Sequence, residues 1–478
     1  MSEVQDYDFA VLGGGSAGYA GARTAASLGL KTALIDGAEE LGGLCILRGC
    51  MPSKTLIESG NRNLTLRHAA EYGLKSQTGK PDTHFIRDRK RRLVREFSKY
   101  RQGQLEDGRF KLLRGHGSIE KADDSSIQLE VALLDGTQQK ISARFLLVAT
   151  GSEIFVPPVP GLEETGYWTS DTVLDAAEIP PSFIVLGGGA IALEMAHYLE
   201  AIGRKVTVLQ RSHHLLTGMD TDLSEVVRCA FKERGMEIIC GTKLQKVERA
   251  GDLKRVSYEH QGVIQHVEAH EILAALGRRP ATGGLNLKNH GVSLKDNGAV
   301  IVSETQQTAH PRIFAAGDVC SPLEVVHIGI QQGEIAARNA ASLLRGKEPS
   351  ELMDYRCMLY GVFTHPQVAV VGLSEAEAGE QGIPFHRASY PFIDHGKSLV
   401  MSETDGHVKL LAHAGTGAII GGGVVGPEAT ELIHEIAIAM YLRATVHQLA
   451  AAPHYHPTLS EIWTYPAEEL AELVKLPS

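Results

Sequence analysis

Two distant stretches of the chain repeat one pattern. Residues 8–36 read DFAVLGGGSAGYAGARTAASLGLKTALID, and residues 182–210 read SFIVLGGGAIALEMAHYLEAIGRKVTVLQ. Aligned without gaps, they share a Phe, a Val, a Leu, three consecutive Gly, an Ala, a further Gly and a Lys. Each has an apolar strand, a glycine-rich turn, an amphipathic helix and a second strand. Because such a βαβ unit lets backbone N–H groups at a helix N-terminus approach a pyrophosphate, the repeat predicts two dinucleotide-binding folds.

The first copy carries the fuller glycine pattern. Gly13, Gly15 and Gly18 form G-x-G-x-x-G between a strand and a helix, and Asp36 closes the second strand. A carboxylate at that position can bond ribose hydroxyls. A glycine turn alone can serve only to pack a helix on a strand, but two copies in one chain favour two different dinucleotides.

The second copy departs from the first at its third glycine and at its closing acid. It has Gly187 and Gly189, but Ala192 replaces the third glycine, and the strand ends in neutral Gln210 followed by Arg211. A carboxylate repels a 2′-phosphate, whereas arginine binds one. The second site therefore favours NADPH over NADH. The alternative is that Arg211 is a solvated surface residue.

The composition is that of a soluble globular chain. At 478 residues it is expected to form roughly three domains. A net charge of −10 argues against a general affinity for nucleic acid or anionic membrane, and no apolar run is long enough to span a bilayer. The acidic N-terminus enters a strand almost at once, unlike a signal peptide. Six cysteines are too few for an extracellular disulfide framework, so we expect a cytoplasmic location.

One basic run, residues 87–101, reads RDRKRRLVREFSKYR. Apolar residues recur through it at helical spacing, which predicts an amphipathic helix with a solvated basic face. A nucleic-acid patch is the alternative. The predicted apolar face consists of Ile86, Leu93, Val94, Phe97 and Tyr100.

A cysteine pair follows the first βαβ unit. Cys45 and Cys50 are separated by four intervening residues within GGLCILRGCMPSK, residues 42–54. The glycines of this stretch let the backbone bring two sulfurs together on an irregular helical turn. A zinc site would need two further ligands of suitable spacing, and the other four cysteines are scattered. The pair therefore suits thiol–disulfide exchange, in which one thiolate attacks and the other resolves; two buried structural cysteines are the alternative.

The cysteine stretch resembles the redox-active motif of the class I pyridine-nucleotide disulfide oxidoreductases, which include lipoamide dehydrogenase, glutathione reductase and mercuric reductase. The resemblance continues along nearly the whole chain. The matching stretches are ATGS (149–152), LGRRP (276–280), FAAGDV (314–319), VFTHP (362–366), GHVKL (406–410) and VGPEATELIHEIAIAM (425–440). In the last of them, one apolar helical face is formed by Ala429, Leu432, Ile433, Ile436 and Met440.

The resemblance implies an α/β fold with two Rossmann-like dinucleotide-binding domains and a C-terminal α+β dimerisation domain. The predicted boundaries are 1–152 for the first FAD-binding segment, 153–280 for the NAD(P)-binding domain, 281–346 for the second FAD-binding or central segment and 347–478 for the dimerisation domain. The implied cofactors are FAD and a nicotinamide nucleotide, NADPH being favoured over NADH by the second glycine turn.

The resemblance also assigns residues to each cofactor. Those predicted to bind FAD are Gly13, Gly15, Ser16, Gly18, Asp36, Gly43, Lys54, Thr150, Gly151 and Asp318, the last on the ribityl chain. Those predicted to bind NAD(P) are Gly187, Gly189, Ile191, Gln210, Arg211 and Gly277. Lys54 resembles the family lysine beside the flavin and Glu194 its carboxylate partner, a pair that would stabilise negative charge on the reduced ring. No metal site is predicted.

A histidine and a glutamate lie near the C-terminus, in HYHPTLSE. The resemblance implies that His456 is the acid–base group, that Glu461 orients its ring, and that His456 serves Cys45 of the other subunit of a homodimer. Imidazole suits this work because it exchanges a proton near neutral pH, and a carboxylate stabilises the imidazolium. A histidine before proline can also serve packing alone, and His454 is a rival candidate.

The implied function is that of an FAD-dependent NAD(P)H:disulfide oxidoreductase. Electrons would pass between nicotinamide, flavin, the Cys45–Cys50 disulfide and a small disulfide or lipoyl substrate, with Cys45 facing the substrate and Cys50 the flavin. PSK after the second cysteine and HPTLSE favour a lipoamide dehydrogenase-like enzyme over a glutathione reductase, and the lack of vicinal cysteines near the C-terminus argues against mercuric reductase.

Several residues depart from the lipoamide dehydrogenase pattern, among them Gln210-Arg211, where an NAD-linked member is expected to have an acid. Leu47-Arg48 stand where the family usually has Asn-Val, so Arg48 either pairs with a substrate carboxylate or is a solvated charge. Ala190 predicts a more open nicotinamide pocket. One alternative function is therefore an NADPH-dependent reductase of a glutathione-like low-molecular-weight disulfide. A flavin diaphorase or transhydrogenase and a non-catalytic scaffold are two others, against which the intact cysteine, histidine and glutamate set argues.

Overall fold

The computed structural model describes residues 5–76 and 79–475, and its contacts divide these residues into two units. Unit 1 comprises the described residues up to Pro52 together with Asp88–Phe155 and Gly277–Asp354. Unit 2 comprises the described residues of 53–87, Val156–Leu276 and the described residues from Tyr355 onward. Over the two described ranges, every helix is too short or too polar to cross a membrane.

Strands and helices alternate through much of the chain. The strands are β1 (Gln5–Leu12), β2 (Thr32–Asp36), β3 (Lys111–Ala122), β4 (Ile127–Leu133), β5 (Gln138–Val148), β6 (Ser152–Ile154), β7 (Ser182–Leu186), β8 (Lys205–Gln210), β9 (Glu237–Cys240), β10 (Thr242–Ala250), β11 (Leu253–His260), β12 (Val263–Ala269), β13 (Glu271–Ala274), β14 (Arg278–Pro280), β15 (Ile313–Ala315), β16 (Leu359–Val362), β17 (Gln367–Gly372), β18 (Phe385–Pro391), β19 (His407–His413) and β20 (Ile419–Gly426). The helices are α1 (Ser16–Ser27), α2 (Gly43–Arg48), α3 (Cys50–Arg67), α4 (Thr83–Leu105), α5 (Leu162–Thr165), α6 (Ser170–Asp175), α7 (Ala190–Ala201), α8 (Thr221–Glu233), α9 (Val326–Leu344), α10 (Glu375–Glu380), α11 (Gly396–Met401), α12 (Ala429–Tyr441), α13 (Val446–Ala451) and α14 (Thr464–Leu473).

Unit 1 is built on a six-stranded mixed sheet, in which β4 pairs antiparallel with β3 and β5 and the other pairings are parallel. Strand β1 lies between β2 and β5 and pairs with both in parallel, β3 continues beyond β2, and β15 pairs with β5. Alternate residues of β1 belong to different hydrophobic clusters: Phe9 and Val11 pack with the alanines of α1 and α9, whereas Ala10 and Leu12 pack on the opposite face. Both faces are therefore buried, as is usual for parallel strands.

Unit 2 contains the second βαβ unit and a separate antiparallel sheet. Strands β9, β8, β7 and β13 form a parallel sheet in that order, and α7 follows β7 as α1 follows β1. Strands β10, β11 and β12 form a small antiparallel sheet, and β16, β17, β20, β19 and β18 form a larger one. Helix α12 packs on the larger sheet. The predicted apolar face of α12 is confirmed, because all five of its residues are buried.

Helix α4 is confirmed as a helix, but its predicted buried face is partly wrong. Phe97 and Tyr100 are 46% and 69% exposed, whereas Lys90 and Ser98 are buried. The Ser98 hydroxyl lies 2.9 Å from a Glu40 carboxylate oxygen and 3.1 Å from the Leu41 carbonyl oxygen. A polar side chain with such partners can be buried, so helical periodicity of apolar residues did not identify the face that packs.

Candidate active site

The first glycine turn brings backbone atoms closer together than side chains would allow. Gly13 has φ +101°, and a Cβ added to it would lie 2.4 Å from the Ala149 carbonyl oxygen. A Cβ on Gly18 would lie 1.8 Å from the Gly13 oxygen. Gly15 precedes α1, whose first residue is Ser16, and a Cβ on Gly15 would meet no atom within 4 Å. The turn therefore presents exposed backbone at a helix N-terminus, which suits a pyrophosphate.

Asp36 is held in place beside this turn. One of its carboxylate oxygens accepts from the Gly14 N–H at 2.7 Å, and the other accepts from the Ala38 N–H at 2.8 Å. Each carboxylate oxygen keeps a further lone pair for a ribose hydroxyl. Gly43, with φ +74°, lies so close that an added Cβ would be 2.6 Å from the Gly15 Cα. The glycine turn and the start of the cysteine-containing stretch thus meet in unit 1.

Three further residues predicted to bind FAD, Thr150, Gly151 and Asp318, follow the neighbouring strands β5 and β15 in the same unit. The Ser152 hydroxyl donates to Asp318 at 2.7 Å, and the Arg278 guanidinium donates to Ser152 at 2.8 Å. Thr150 donates to a main-chain carbonyl at 2.7 Å, and Gly151 has φ +73°. Ser152 and Arg278 orient Asp318, but they were not predicted as site residues from the sequence. Glycine turns with open backbone and two oriented carboxylates fit FAD.

The second glycine turn has the same form. Gly187 has φ +116°, and a Cβ there would lie 2.3 Å from the Ala275 carbonyl oxygen. Gly189 precedes α7 and, like the corresponding glycine of the first turn, would meet no atom within 4 Å. Ala192, which replaces the third glycine, is fully buried, and Ile191 is 40% exposed beside the turn. The buried Ala192 methyl group is therefore accommodated in place of the third glycine. The turn keeps the open backbone at a helix N-terminus that a second dinucleotide needs.

Gln210 ends β8 at the position that Asp36 has in the first copy, but it bonds differently. Its amide oxygen accepts from the Arg211 N–H at 3.0 Å, and its amide nitrogen lies 3.4 Å from the His214 carbonyl oxygen. Gln210 is buried and Arg211 is exposed. The position that corresponds to Asp36 is thus uncharged, and the residue that follows it is an exposed arginine. Gly277, also predicted for NAD(P), belongs to unit 1, where it precedes β14 with φ +134°.

The cysteine pair lies where two helices meet. Cys45 is on α2, Cys50 is the first residue of α3, and both are partly buried. Gly49 separates the helices, and a Cβ there would lie 3.0 Å from the Leu44 oxygen and 3.1 Å from the Cys45 Cα. A glycine at this position therefore allows the close approach of the second helix to the first. Arg48 is exposed.

Lys54 and Glu194 form an ion pair within unit 2. The Lys54 ammonium lies 2.9 Å and 2.8 Å from the two oxygens of Glu194, whose side chain is buried. The same carboxylate accepts from the Phe363 N–H at 3.0 Å, and the ammonium lies 4.5 Å from the centre of the Phe363 ring. The predicted pair is thus brought together. Phe363 was not predicted as a site residue, although it lies in the VFTHP stretch.

His456 and Glu461 also come together. The His456 Nδ1 lies 2.9 Å and 3.1 Å from the two oxygens of Glu461. The imidazole is 78% exposed, whereas the carboxylate is 10% exposed. Because a carboxylate at Nδ1 favours the proton on that nitrogen, the Nε2 edge of an exposed ring is left to exchange a proton with another group.

The rival His454 has a different environment. Its Nε2 lies 2.5 Å from a Glu435 oxygen, its Nδ1 lies 3.0 Å from the Ala452 carbonyl oxygen, and its side chain is 10% exposed. Both ring nitrogens thus have protein partners. This geometry favours His456 as the acid–base group. Within the described ranges, no three or more His, Cys, Asp or Glu residues are grouped as metal ligands would be.

Comparison with known proteins identifies the family. Residues 7–333 match the family described as pyridine nucleotide-disulphide oxidoreductase, and residues 358–467 match its dimerisation domain. Dihydrolipoyl dehydrogenase from Chlamydia pneumoniae is 33% identical over 462 residues, 96% of each chain. Mercuric reductase from Staphylococcus aureus is 33% identical over 457 residues, 95% of this chain and 81% of that protein. The crystal structure of LpdA from Mycobacterium tuberculosis has a TM-score of 0.86 and 29% identity, covering 98% of this chain and 100% of that one.

The chain belongs to the pyridine nucleotide-disulphide oxidoreductase family. It is a flavoprotein enzyme, an FAD-dependent disulfide oxidoreductase that also uses a pyridine nucleotide, and the lipoamide dehydrogenase-like interpretation agrees with its relatives. The predicted family and fold class are confirmed. The dimerisation domain indicates a homodimer, and the family acts on small disulfide or lipoyl substrates.

Proposed function

We propose that this enzyme carries out thiol–disulfide exchange on a small lipoyl or disulfide substrate through Cys45 and Cys50, with His456 as the acid–base group. The observation that carries the proposal is the exposed His456 ring, held at 2.9 Å by the buried Glu461 carboxylate. An imidazole that is fixed on one nitrogen and accessible on the other can protonate a leaving thiol and take the proton back.

The cofactors would be held by the two glycine turns. In unit 1, Gly13, Gly15, Asp36 and Asp318 would hold FAD, which supplies a two-electron link between nicotinamide and the cysteine pair. The ammonium of Lys54, oriented by a buried carboxylate, would stabilise negative charge on the reduced ring.

In the reductive direction, the cysteines would act in turn. The reduced Cys45 thiolate attacks one sulfur of the substrate disulfide, and a mixed disulfide forms as one substrate thiolate leaves. That thiolate takes a proton from His456. The Cys50 thiolate then attacks the Cys45 sulfur, which restores the Cys45–Cys50 disulfide and expels the second substrate sulfur as a thiolate that takes a proton from solvent. Cys50 is therefore the sulfur assigned to the flavin side.

Steady-state kinetics test this proposal directly. We expect NAD(P)H-dependent reduction of lipoamide, glutathione disulfide or another small disulfide, measured with NADH and NADPH in separate assays. Turnover of quinones alone, unchanged in a Cys50→Ser variant, would instead identify a diaphorase.

For the nicotinamide nucleotide, NADPH is the proposed physiological partner. The support is that Gln210 is uncharged and its side-chain amide hydrogen-bonds to the backbone of the loop after β8. The Arg211 guanidinium is exposed at the same strand end. A 2′-phosphate would meet a cation and no carboxylate there.

Replacing Arg211 by glutamine is expected to raise KM for NADPH by about tenfold and to leave KM for NADH within about twofold, because only NADPH has the 2′-phosphate. The measurement is initial rate against nucleotide concentration at low salt. Lys243→Gln is a matched control, since it removes an exposed positive charge from the same unit. A wild-type kcat/KM that is tenfold higher for NADH, or an equal effect of R211Q on both nucleotides, would contradict NADPH preference.

A second candidate substrate class is an anionic low-molecular-weight disulfide, and a cation near Cys45 favours it. The Arg101 guanidinium lies 4.1 Å from the centre of the Tyr19 ring, and its Nη1 is buried without a hydrogen-bond partner among the described residues. Burial lowers the pKa of Arg101, while the charges of Tyr19 and Cys45 act in the opposite direction. Arg101 and Cys45 belong to the same unit, so this guanidinium is a candidate partner for a substrate carboxylate.

We expect Arg101→Gln to raise KM for glutathione disulfide by about tenfold and KM for neutral lipoamide by less than about twofold. Arg95→Gln, which changes an exposed arginine of the same helix, is the control. Equal changes for the two substrates would mean that Arg101 supports the fold and does not select an anion.

The proposed assembly is a homodimer in which His456 serves Cys45 of the other subunit. Its support is the 78% exposure of the His456 side chain, which leaves the ring accessible to a second chain. A cytoplasmic location is proposed on the cysteine content, because a redox-active pair in a chain with six cysteines suits a reducing compartment. Cell fractionation tests the location, and complementation between inactive variants tests whether His456 serves the other subunit.

A further inference from the structure

A third titratable residue lies against the proposed acid–base pair. The Nε2 of His395 is 3.3 Å from Oε1 of Glu461, the same carboxylate that His456 contacts through Nδ1 at 2.9 and 3.1 Å. His395 ends the turn after β18 and precedes α11, and it is 0% exposed. The Glu461 carboxylate is therefore flanked by two imidazoles, one buried and one exposed.

The hydrogen bonds of His395 select its tautomer. Its Nδ1 lies 2.9 Å from the hydroxyl oxygen of Ser398, which is also fully buried. A serine hydroxyl can donate or accept, but a carboxylate can only accept. The consistent arrangement is that Ser398 donates to Nδ1 and that Nε2 carries the proton, directed at Glu461.

The contact between Nε2 and Glu461 is close but not aligned as a hydrogen bond, and among the described residues Nε2 has no other hydrogen-bond partner. A buried N–H without an acceptor is costly, and the Glu461 carboxylate oxygen at 3.3 Å is the acceptor within reach of Nε2. Glu461 can thus accept from His395 and from His456 together.

The other groups near His395 are mainly aromatic rings and the charged residues of its own segment. Tyr465 on α14 has its ring centre 6.4 Å from that of His395, and Tyr390 stacks on Tyr465 at 4.0 Å. Asp394 and Lys397 belong to the same segment of chain. Burial lowers the pKa of His395, against the opposing effect of Glu461, so His395 is a neutral donor at physiological pH.

We propose that His395 is a positioning residue that donates to Glu461 and so reduces how strongly this carboxylate holds a proton on His456. A carboxylate that shares its charge with a second donor stabilises an imidazolium less. His395 also fixes the carboxylate from its buried side. The inference rests on the proposed acid–base role of His456.

The proposal predicts opposite behaviour for two amides of similar polarity. The side-chain amide of asparagine lies near the position of the histidine Nδ1, so it can contact Ser398 but does not reach Glu461. The longer side chain of glutamine can place an N–H near the former position of Nε2. In His395→Asn, Glu461 would act on His456 alone, and His456 would keep its proton to higher pH. His456 must be protonated to donate a proton to the leaving thiolate. The alkaline limb of the pH profile, where activity falls, should therefore move to higher pH.

The experiment is the pH dependence of kcat/KM for lipoamide reduction by NADPH, from about pH 5.5 to pH 9.5, with the FAD-loaded enzyme. We expect H395N to shift the falling limb upward by roughly 0.5 to 1 pH unit and H395Q to stay close to wild type. Ser398→Ala, which removes the donor that selects the tautomer, should shift the limb in the same direction by a smaller amount.

Two outcomes separate this inference from the function on which it rests. If H395N and H395Q both keep the wild-type limb, or both shift alike, His395 serves only packing and the inference is wrong. If H395N does not fold, S398A decides: an unshifted limb there overturns the inference. Full turnover by a His456→Gln variant would instead overturn the acid–base role of His456, whatever the His395 variants do.

Discussion

Replacing Cys45 by serine is expected to abolish disulfide reduction, by at least about a thousandfold, while NAD(P)H still bleaches the absorbance of bound FAD. The reason is chemical, because a serine hydroxyl at neutral pH neither attacks a disulfide nor forms one with Cys50. The residues proposed to bind the nucleotide do not include Cys45, so electron entry is expected not to depend on it.

Two measurements check this expectation on one preparation. Stopped-flow absorbance follows FAD bleaching, and steady-state assay follows disulfide turnover. Cys229→Ser is the matched control, since Cys229 is an exposed cysteine on α8, and it should behave as wild type in both. If C45S retained more than about a tenth of wild-type turnover, Cys45 would not be the attacking thiol.

His456→Gln is expected to lower disulfide turnover by about a hundredfold to ten-thousandfold. Glutamine keeps an amide near Glu461 but cannot exchange a proton, so the leaving thiolate would depart unprotonated. His266→Gln, an exposed histidine on β12, is the control and should leave turnover unchanged. Turnover of H456Q within about threefold of wild type would contradict the assignment of the acid–base group.

Mixing the two inactive variants tests whether His456 serves the other subunit. A heterodimer of C45S and H456Q chains would contain one site with an intact Cys45 and an intact His456 if the residues come from different subunits. We therefore expect turnover to return when the two chains are co-expressed with different affinity tags and the mixed dimer is isolated. If Cys45 and His456 of one chain acted together, the heterodimer would have no intact site and would stay inactive.

The local parts of the site could be predicted from sequence because they are governed by short-range geometry. Gly13 and Gly187 both adopt positive φ, at +101° and +116°, and both approach a carbonyl too closely for a side chain. Such requirements recur wherever a strand turns directly into a helix at a pyrophosphate. The apolar spacing on α12 likewise predicted which of its residues are buried.

Other parts depend on contacts between distant segments, which spacing does not reveal. The Phe363 N–H reaches Glu194 from 169 residues away, and His395 reaches Glu461 across two further strands and several helices. On α4, burial of Ser98 follows from its hydroxyl partners at residues 40 and 41. A polar residue that is buried because it hydrogen-bonds to a distant partner does not appear in the periodic pattern of apolar residues.

The central claim is that Cys45 and Cys50 form a disulfide that opens when electrons enter from the nicotinamide nucleotide. The most direct test is alkylation with iodoacetamide under anaerobic conditions, before and after addition of NADPH or NADH, with labelled cysteines mapped by mass spectrometry. The exposed Cys229 reports general reactivity. We predict that Cys45 resists alkylation until the nucleotide is added and then becomes labelled, whereas Cys229 is labelled in both states. Labelling of Cys45 that is the same with and without either nucleotide would contradict a redox-active disulfide at this site.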